Sequence, residues 1–207
     1  MAFHLRKHLL RLKALFCPGI MVANGGNAVI RKDVVGDGNV IVVGRGSVMM
    51  DVSVRIRGNG NRIVFEDNCH VGPDCSFWME GNGITIVIGE GTTFTSKVHF
   101  CAQEDGSSVM VGKDCMFANT ITVRTSDSHP VYDGGGDRIN PPGPVVIGEH
   151  VWIAPGVRVM KGVSLGDGCI IGAGSIVTKN VPDRCMAVGI PAKVVKEGVR
   201  WTREHLF

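Results

Sequence analysis

The sequence has one tyrosine and three tryptophans in 207 residues. It also lacks the Leu/Ala/Glu/Lys-rich stretches from which helices are usually built. A mainly helical fold is therefore excluded as the first expectation. No apolar run reaches the roughly 18 residues that cross a bilayer as a helix. The basic N-terminus has neither an unbroken apolar stretch nor a small-residue cleavage site, so no signal peptide is expected. Seven cysteines occur without a CxxC pair. With an odd count and no paired spacing, a disulfide framework is not expected; Cys69, Cys75, Cys115 and Cys169 read as small core residues in a reducing, cytoplasmic setting. Strong charge is missing too. The net charge is +3, and Arg6, Lys7, Arg11 and Lys13 stand before the first acid, Asp33. Without those four cations the rest of the chain is near neutral, which excludes a groove-sized basic surface for nucleic acid.

What is abundant is glycine, 29 residues, set among valines and isoleucines, the mark of a turn-dense β chain. The apolar residues step by six: Ile147, Ile153, Val159, Leu165, Ile171 and Val177. Four residues after each come Val151, Val157, Val163, Cys169, Ser175 and Val181, again small or branched. Upstream the step recurs in threes: Phe65, Val71, Phe77, then Ile88, Phe94, Phe100, then Val111, Phe117, Val123. Val43 and Met49 begin an earlier, less regular turn. GDGN at 36, GNGN at 58, GNGI at 81 and EDGS at 104 punctuate the groups at steps of 22, 23 and 23. A six-residue period fits neither a 3.6-residue helix nor an uninterrupted strand. It fits short strands broken by corners, three sides to a coil, with stacked coils burying one aliphatic column. An all-β parallel β-helix of hexapeptide repeats is predicted over residues 25–190. Period alone leaves its handedness open.

Three segments leave the ladder. Residues 1–24 form an N-terminal segment whose stretch 2–16 reads as a short amphipathic helix carrying Phe3, Leu5, Leu9, Leu12 and Phe16 among basic residues. Such a helix would either pack on its own protein or rest peripherally on anionic lipid. Residues 191–207 form a C-terminal tail containing Trp201. Residues 124–144, RTSDSHPVYDGGGDRINPPGP, are too long for a corner, and long excursions from a rigid repeat are commonly functional. This one carries His129, whose side-chain type suits proton transfer near neutral pH. Asp127 stands two residues away as one candidate to orient the ring; a backbone carbonyl is the other. Ser126, Tyr132 and Arg138 share the loop as candidate acceptor contacts. Arg138 would either meet a carboxylate such as that of a sialic or uronic acid, or pin the loop.

From about Val111 onward the chain resembles the hexapeptide-repeat acyltransferases, the group containing galactoside and maltose acetyltransferases. The residues that carry the resemblance are SDSHP at 126–130, IGEHVWIAPGV at 147–157, IIGAGSIVTKNVP at 170–182 and GIPAKVV at 189–195. GKDCM, the DxHPxY histidine loop, the following RIN and the VW pair are similar, in that order, to the capsule polysaccharide O-acetyltransferases, including those acting on polysialic acid. The likeness is specific over 107–196 and one of repeat style upstream. It implies a left-handed β-helix, a homotrimer with its coenzyme groove between subunits, and transfer of acetyl from acetyl-CoA to a sugar hydroxyl. It implies that His129 is the general base of a direct attack and that Trp152 lies near the thioester and the acceptor. It further implies that Ala154, Pro155, Ala173, Thr178 and Lys179 follow the pantetheine arm and its phosphates, and that Lys193 and Lys196 meet the adenosine phosphates. Ala154 departs from the usual glycine. Thr120 stands where galactoside-type enzymes have asparagine, which weakens any expectation of a galactoside-like acceptor.

Two other classes compete with this one. A zinc-dependent carbonic anhydrase of the same fold needs three converging imidazoles, and His70, His99, His129 and His150 include no HxxxxH pair; no metal is expected. A non-catalytic β-helix scaffold would not need the histidine loop and the coenzyme-side signature together. Within the enzyme class, N-acetylation of an amino sugar is the alternative. No GxGxxG in a βαβ context is present, which favours a hydroxyl acceptor.

Overall fold

The computed structural model describes residues 20–24 and 26–206, with side chains from residue 26 onward. The amphipathic stretch 2–16 lies outside the described residues. Every regular element from Ile20 to Lys196 is a β-strand, and the strands stack in parallel, coil upon coil, into a β-solenoid. Among the described residues no helix is long and apolar enough to cross a membrane.

Each coil has three sides. The first wall is a 7-stranded sheet running Ile20–Asn24, Asn39–Val43, Arg62–Phe65, Thr85–Ile88, Ser108–Val111, Val145–Ile147 and Ser164–Leu165. Its first strand thus starts inside the stretch set apart as N-terminal segment. The second wall includes His70–Val71, Thr93–Ser96, Met116–Asn119, Trp152–Ile153, Ile170–Ile171 and Met186–Gly189. The third includes Ser76–Glu80, His99–Gln103, Thr122–Arg124, Arg158–Val159 and Ile176–Val177. Walls two and three are joined because Val48–Arg57 continues through their shared corner, pairing with His70–Val71 at one end and Ser76–Glu80 at the other. At that bend Asp51 takes a φ of 55°.

The register gives the coil length directly. Arg62 pairs with Thr85 and Thr85 with Ser108, a step of 23. Val146 pairs with Ser164, a step of 18, so the later coils have lost the extra corner residues. Between these regimes Val109 pairs with Val145, and the chain between them contains the excursion.

The six-step ladder is the core. Ile147, Ile153, Val159, Leu165, Ile171 and Val177 are all buried, as are Val151, Val157, Val163, Cys169, Ser175 and Val181. Each apolar side chain so buried contributes roughly 1.5–3 kcal/mol. In the wider early coils phenylalanines fill the centre. Phe77 stacks on Phe100 at 5.1 Å with Phe65 edge-on to it at 5.0 Å, and Phe94 stacks on Phe117 at 4.6 Å. The glycine after a step residue is required by coil-on-coil approach: a Cβ on Gly166 would lie 2.4 Å from the Asp183 nitrogen of the next coil. The described cysteines, Cys69, Cys75, Cys101, Cys115, Cys169 and Cys185, are free and buried. Burial pushes the Cys69 and Cys169 thiols up to about 12.

After the last coil the chain does not trail away. Ala192–Lys196 turns back antiparallel on Met186–Gly189. Trp201 then folds onto the corner between walls one and two, where it is buried.

Candidate active site

The excursion leaves the coil at the corner between walls three and one, and a polar network fixes its root. Glu80 and Gln103 sit opposite each other on wall three. Gln103 is 6% exposed and donates through Nε2 to Glu80 Oε2 at 2.9 Å. Ser128 Oγ donates to Gln103 Oε1 at 2.5 Å. On the other side Arg138 grips Glu104 with two guanidinium nitrogens at 2.6 and 2.8 Å, a bidentate geometry that specifies position as well as energy. That grip holds the Glu104 carboxyl below its ordinary range, helped by a 2.6 Å hydrogen bond from Ser126 Oγ.

Asp127 is the second anchor. Its Oδ2 accepts from Lys161 Nζ at 2.6 Å and from Asn140 Nδ2 at 2.9 Å. Lys161 first, then Asn140, keep the carboxyl below the usual carboxylate range. Asn140 also donates to the His129 carbonyl at 2.9 Å and accepts from the Val131 N–H at 2.6 Å. Asp127 therefore acts on the backbone that carries His129, through Asn140.

His129 itself is exposed. With Ser128 it forms one lip of a cleft of about 670 Å³ whose other walls are Trp78, Glu80, Gly81, Gln103, Glu104 and Asp105. An imidazole held on an anchored loop over an open cleft can accept a proton from a ligand seated there.

The other expected site residues fall in distinct places. Trp152 is half-buried on wall two, between Met116 and Ile170, and its ring lies 6.0 Å from Trp201. Ala154 is buried, and Pro155 turns the next corner, with the Gly174 N–H donating to its carbonyl at 2.8 Å. Ala173 is thus stacked one coil above Pro155, and both are exposed. Lys193 pairs with Val188 and Lys196 with Met186 on the returning hairpin, so both exposed lysines extend the wall that bears Trp152. Thr178 and Lys179 are exposed after Ile176–Val177, at the corner from which the excursion leaves. Trp152 does not line the His129 cleft.

Of the candidate acceptor contacts, Tyr132 is open to solvent. Ser126 is not: it is 1% exposed, with its hydroxyl given to Glu104 and accepting from the Ser128 N–H at 2.9 Å, which makes it a loop support. Arg138 is committed to Glu104 and to the Asn140 carbonyl, so of its two sequence readings the structure shows the pin. Sequence reasoning missed Glu80, Gln103, Glu104, Asn140 and Lys161. The 23-residue step was the available signal, since it puts Glu80, Gln103 and Ser126 in one column on successive coils.

His70, His99 and His150 are spread over wall two, wall three and a corner. His99 Nδ1 lies 2.6 Å from Ser76 Oγ, and burial followed by the Arg124 charge lowers its pKa. Among the described residues no three His, Cys, Asp or Glu side chains converge as a metal site would require.

The family model for bacterial transferase hexapeptide (six repeats) matches residues 144–179. A polysialic acid O-acetyltransferase of Escherichia coli O1:K1 / APEC is 38% identical over 91 residues, 44% of this chain and 30% of that protein. The match thus spans less than a third of that curated relative's length. The crystal structure of the polySia specific acetyltransferase NeuO superposes with a TM-score of 0.68 at 33% identity, over 90% of this chain and 83% of that one. That of the polysialic acid O-acetyltransferase OatWY gives 0.79 at 25% identity, over 91% and 89%. With the solenoid, the histidine loop and this likeness over nine-tenths of its length, the chain belongs to the hexapeptide-repeat acyltransferase family.

Proposed function

We propose that the chain is an acetyl-CoA-dependent O-acetyltransferase that acts on a sugar hydroxyl of a surface polysaccharide or its precursor, with His129 as general base. The observation that carries this is the exposed imidazole at the lip of the cleft, on a loop anchored through Asp127, Asn140 and Arg138. The acceptor hydroxyl gives its proton to the imidazole as its oxygen attacks the thioester carbonyl. The tetrahedral intermediate then expels the thiolate of coenzyme A, which takes the proton back. An ester and the free thiol result, and no acyl-enzyme is required.

The coenzyme is a substrate, and the exposed side chains suit it. Lys193 and Lys196 on the hairpin, and Lys179, supply cations for phosphates; Trp152, Pro155 and Ala173 supply an apolar edge for a thin pantetheine arm. His129 and Trp152 stand on different parts of one coil. This separation supports a site shared between copies, in the homotrimer that the family resemblance implies. Six buried free thiols support a reducing compartment, the cytoplasm. The basic N-terminal stretch is proposed as a peripheral contact with the inner face of the membrane.

Labelled acetyl transfer by wild type and His129→Ala tests the mechanism. Removal of a general base is expected to cost 10²–10⁴-fold in kcat, and equal rates would remove His129 from the chemistry. Mixing inactive His129→Ala with inactive Trp152→Ala protein tests the shared site. Recovery of activity in mixed oligomers is expected, whereas none is expected if each copy works alone.

A further inference from the structure

Ser128, the residue before His129, takes a φ of 70°. The other described non-glycine residues with left-handed φ, among them Lys97, Asp114 and His150, turn the corners of coils. There the ladder enforces the turn, since the N–H groups of those three donate to carbonyls of the coil below. Ser128 stands on the excursion instead. A serine held in this region is strained, and such strain persists only where surrounding groups fix it.

Side chains do so here. The Ser128 N–H donates to Ser126 Oγ at 2.9 Å. Its own Oγ accepts from Arg124 Nη2 at 3.1 Å and donates to Gln103 Oε1 at 2.5 Å. A glutamine can present either end of its amide, but an ionised carboxylate only accepts. Glu80 therefore takes the Gln103 Nε2–H, at 2.9 Å, and leaves Oε1 facing Ser128. Gln103 is pinned at its backbone as well, its N–H donating to Thr125 Oγ1 at 2.9 Å and its carbonyl accepting from the same hydroxyl at 3.1 Å. The direction in which the chain leaves Ser128 sets where the imidazole stands at the lip of the cleft.

We infer, resting on the acetyltransfer reading above, that Glu80 and Gln103 are positioning residues for His129, acting through the Ser128 hydroxyl. This hold is separate from the Asp127 anchor, which reaches the His129 carbonyl through Asn140. With glutamine at position 80, which donates as well as accepts, either end of the Gln103 amide can face Ser128. The left-handed turn then loses its fixed acceptor.

The test compares wild type with Glu80→Gln, Ser128→Ala and the double variant, by labelled acetyl transfer and by amide hydrogen exchange of the native protein across 127–131. Each single variant is expected to lower kcat roughly tenfold, with the KM for acetyl-CoA and the denaturation midpoint unchanged, and to speed exchange in that stretch. Because both act through one hydroxyl, the double variant should fall no further than Ser128→Ala alone. Additive losses overturn the inference, as does Glu80→Gln protein with full kcat or unaltered exchange. Exchange reads the loop whether or not acetyl is transferred. If wild type transfers no acetyl, or His129→Ala matches it, the acetyltransfer reading fails, while unaltered or faster exchange in Glu80→Gln still rejects or upholds the hold on Ser128.

Discussion

His150 and Trp201 lie ring on ring, their centroids 4.0 Å apart and their planes 7° from parallel. The pair is tied at both ends. Trp201 Nε1 donates to the His150 carbonyl at 2.9 Å, and His150 Nε2 lies 3.1 Å from the Trp201 carbonyl. Asp114, one coil below, reaches His150 Nδ1 at 2.6 Å and Arg203 Nε at 2.8 Å. A tail that left the repeat pattern in sequence is thus strapped across three coils, with Trp201 against Trp152.

Trp201→Ala should therefore act on stability and on the proposed coenzyme side together. Loss of a buried tryptophan costs about 3 kcal/mol, read as a lower denaturation midpoint. Because Trp152 loses its aromatic neighbour, the KM for acetyl-CoA should rise more than that for the acceptor. Trp201→Phe should restore most of both. Unchanged stability and unchanged KM would show that the strap is ornamental.

Acid should release the histidine loop only at low pH. Arg138 depresses the Glu104 pKa and Lys161 that of Asp127, from ordinary values of 4.5 and 3.8. Groups with depressed folded pKa values contribute stability that is complete above the unfolded values and lost as pH falls through the folded ones. Hydrogen exchange across 126–140 should then be insensitive to these two groups from pH 7 to about 5, and accelerate only below about 4. Loop opening already at pH 6 would contradict the anchoring described for Asp127 and Glu104.

The fold was legible because it is periodic. Within each group of inward positions, from Phe65 to Val177, one corner separates each from the next, so burial writes itself into the sequence at steps of six, with longer corners and the excursion between the groups. His129 stood out because it sits on a local motif in a conspicuous loop, and the structure sets it at the lip of a cleft. The supports of that loop were not, since they come from other coils: Ser128 meets Gln103, and Arg138 meets Glu104, 34 residues away. No short motif records such pairs. The tail was opaque for the same reason, as nothing near Trp201 in sequence points to His150.

The core thiols should be inert in the native state. Burial lifts Cys69 and Cys169 to about 12 and Cys115 to about 11, against an ordinary 9.0. The thiolate is the reactive species, so a three-unit rise lowers its population about a thousandfold. Alkylation of these residues should follow unfolding, appearing in denaturant and not before. Rapid native labelling of Cys69 or Cys169 would mean that the coils open far more readily than their packing implies.

Lys161 offers the sharpest separation of loop position from chemistry. It touches neither the cleft nor the imidazole; it holds Asp127 and the Asn140 carbonyl from the next coil. Lys161→Met keeps much of the aliphatic stem and removes the charge, leaving Asp127 without its cation. The loop root then relaxes and His129 shifts by up to about 1 Å, an error of the kind that costs ten- to hundredfold in rate. The expected signature is a fall in kcat with a nearly unchanged denaturation midpoint, because the aliphatic column is untouched. Lys161→Arg, which retains the charge, should recover part of the loss. A variant with full kcat would show that the Asp127 anchor does not govern where His129 stands.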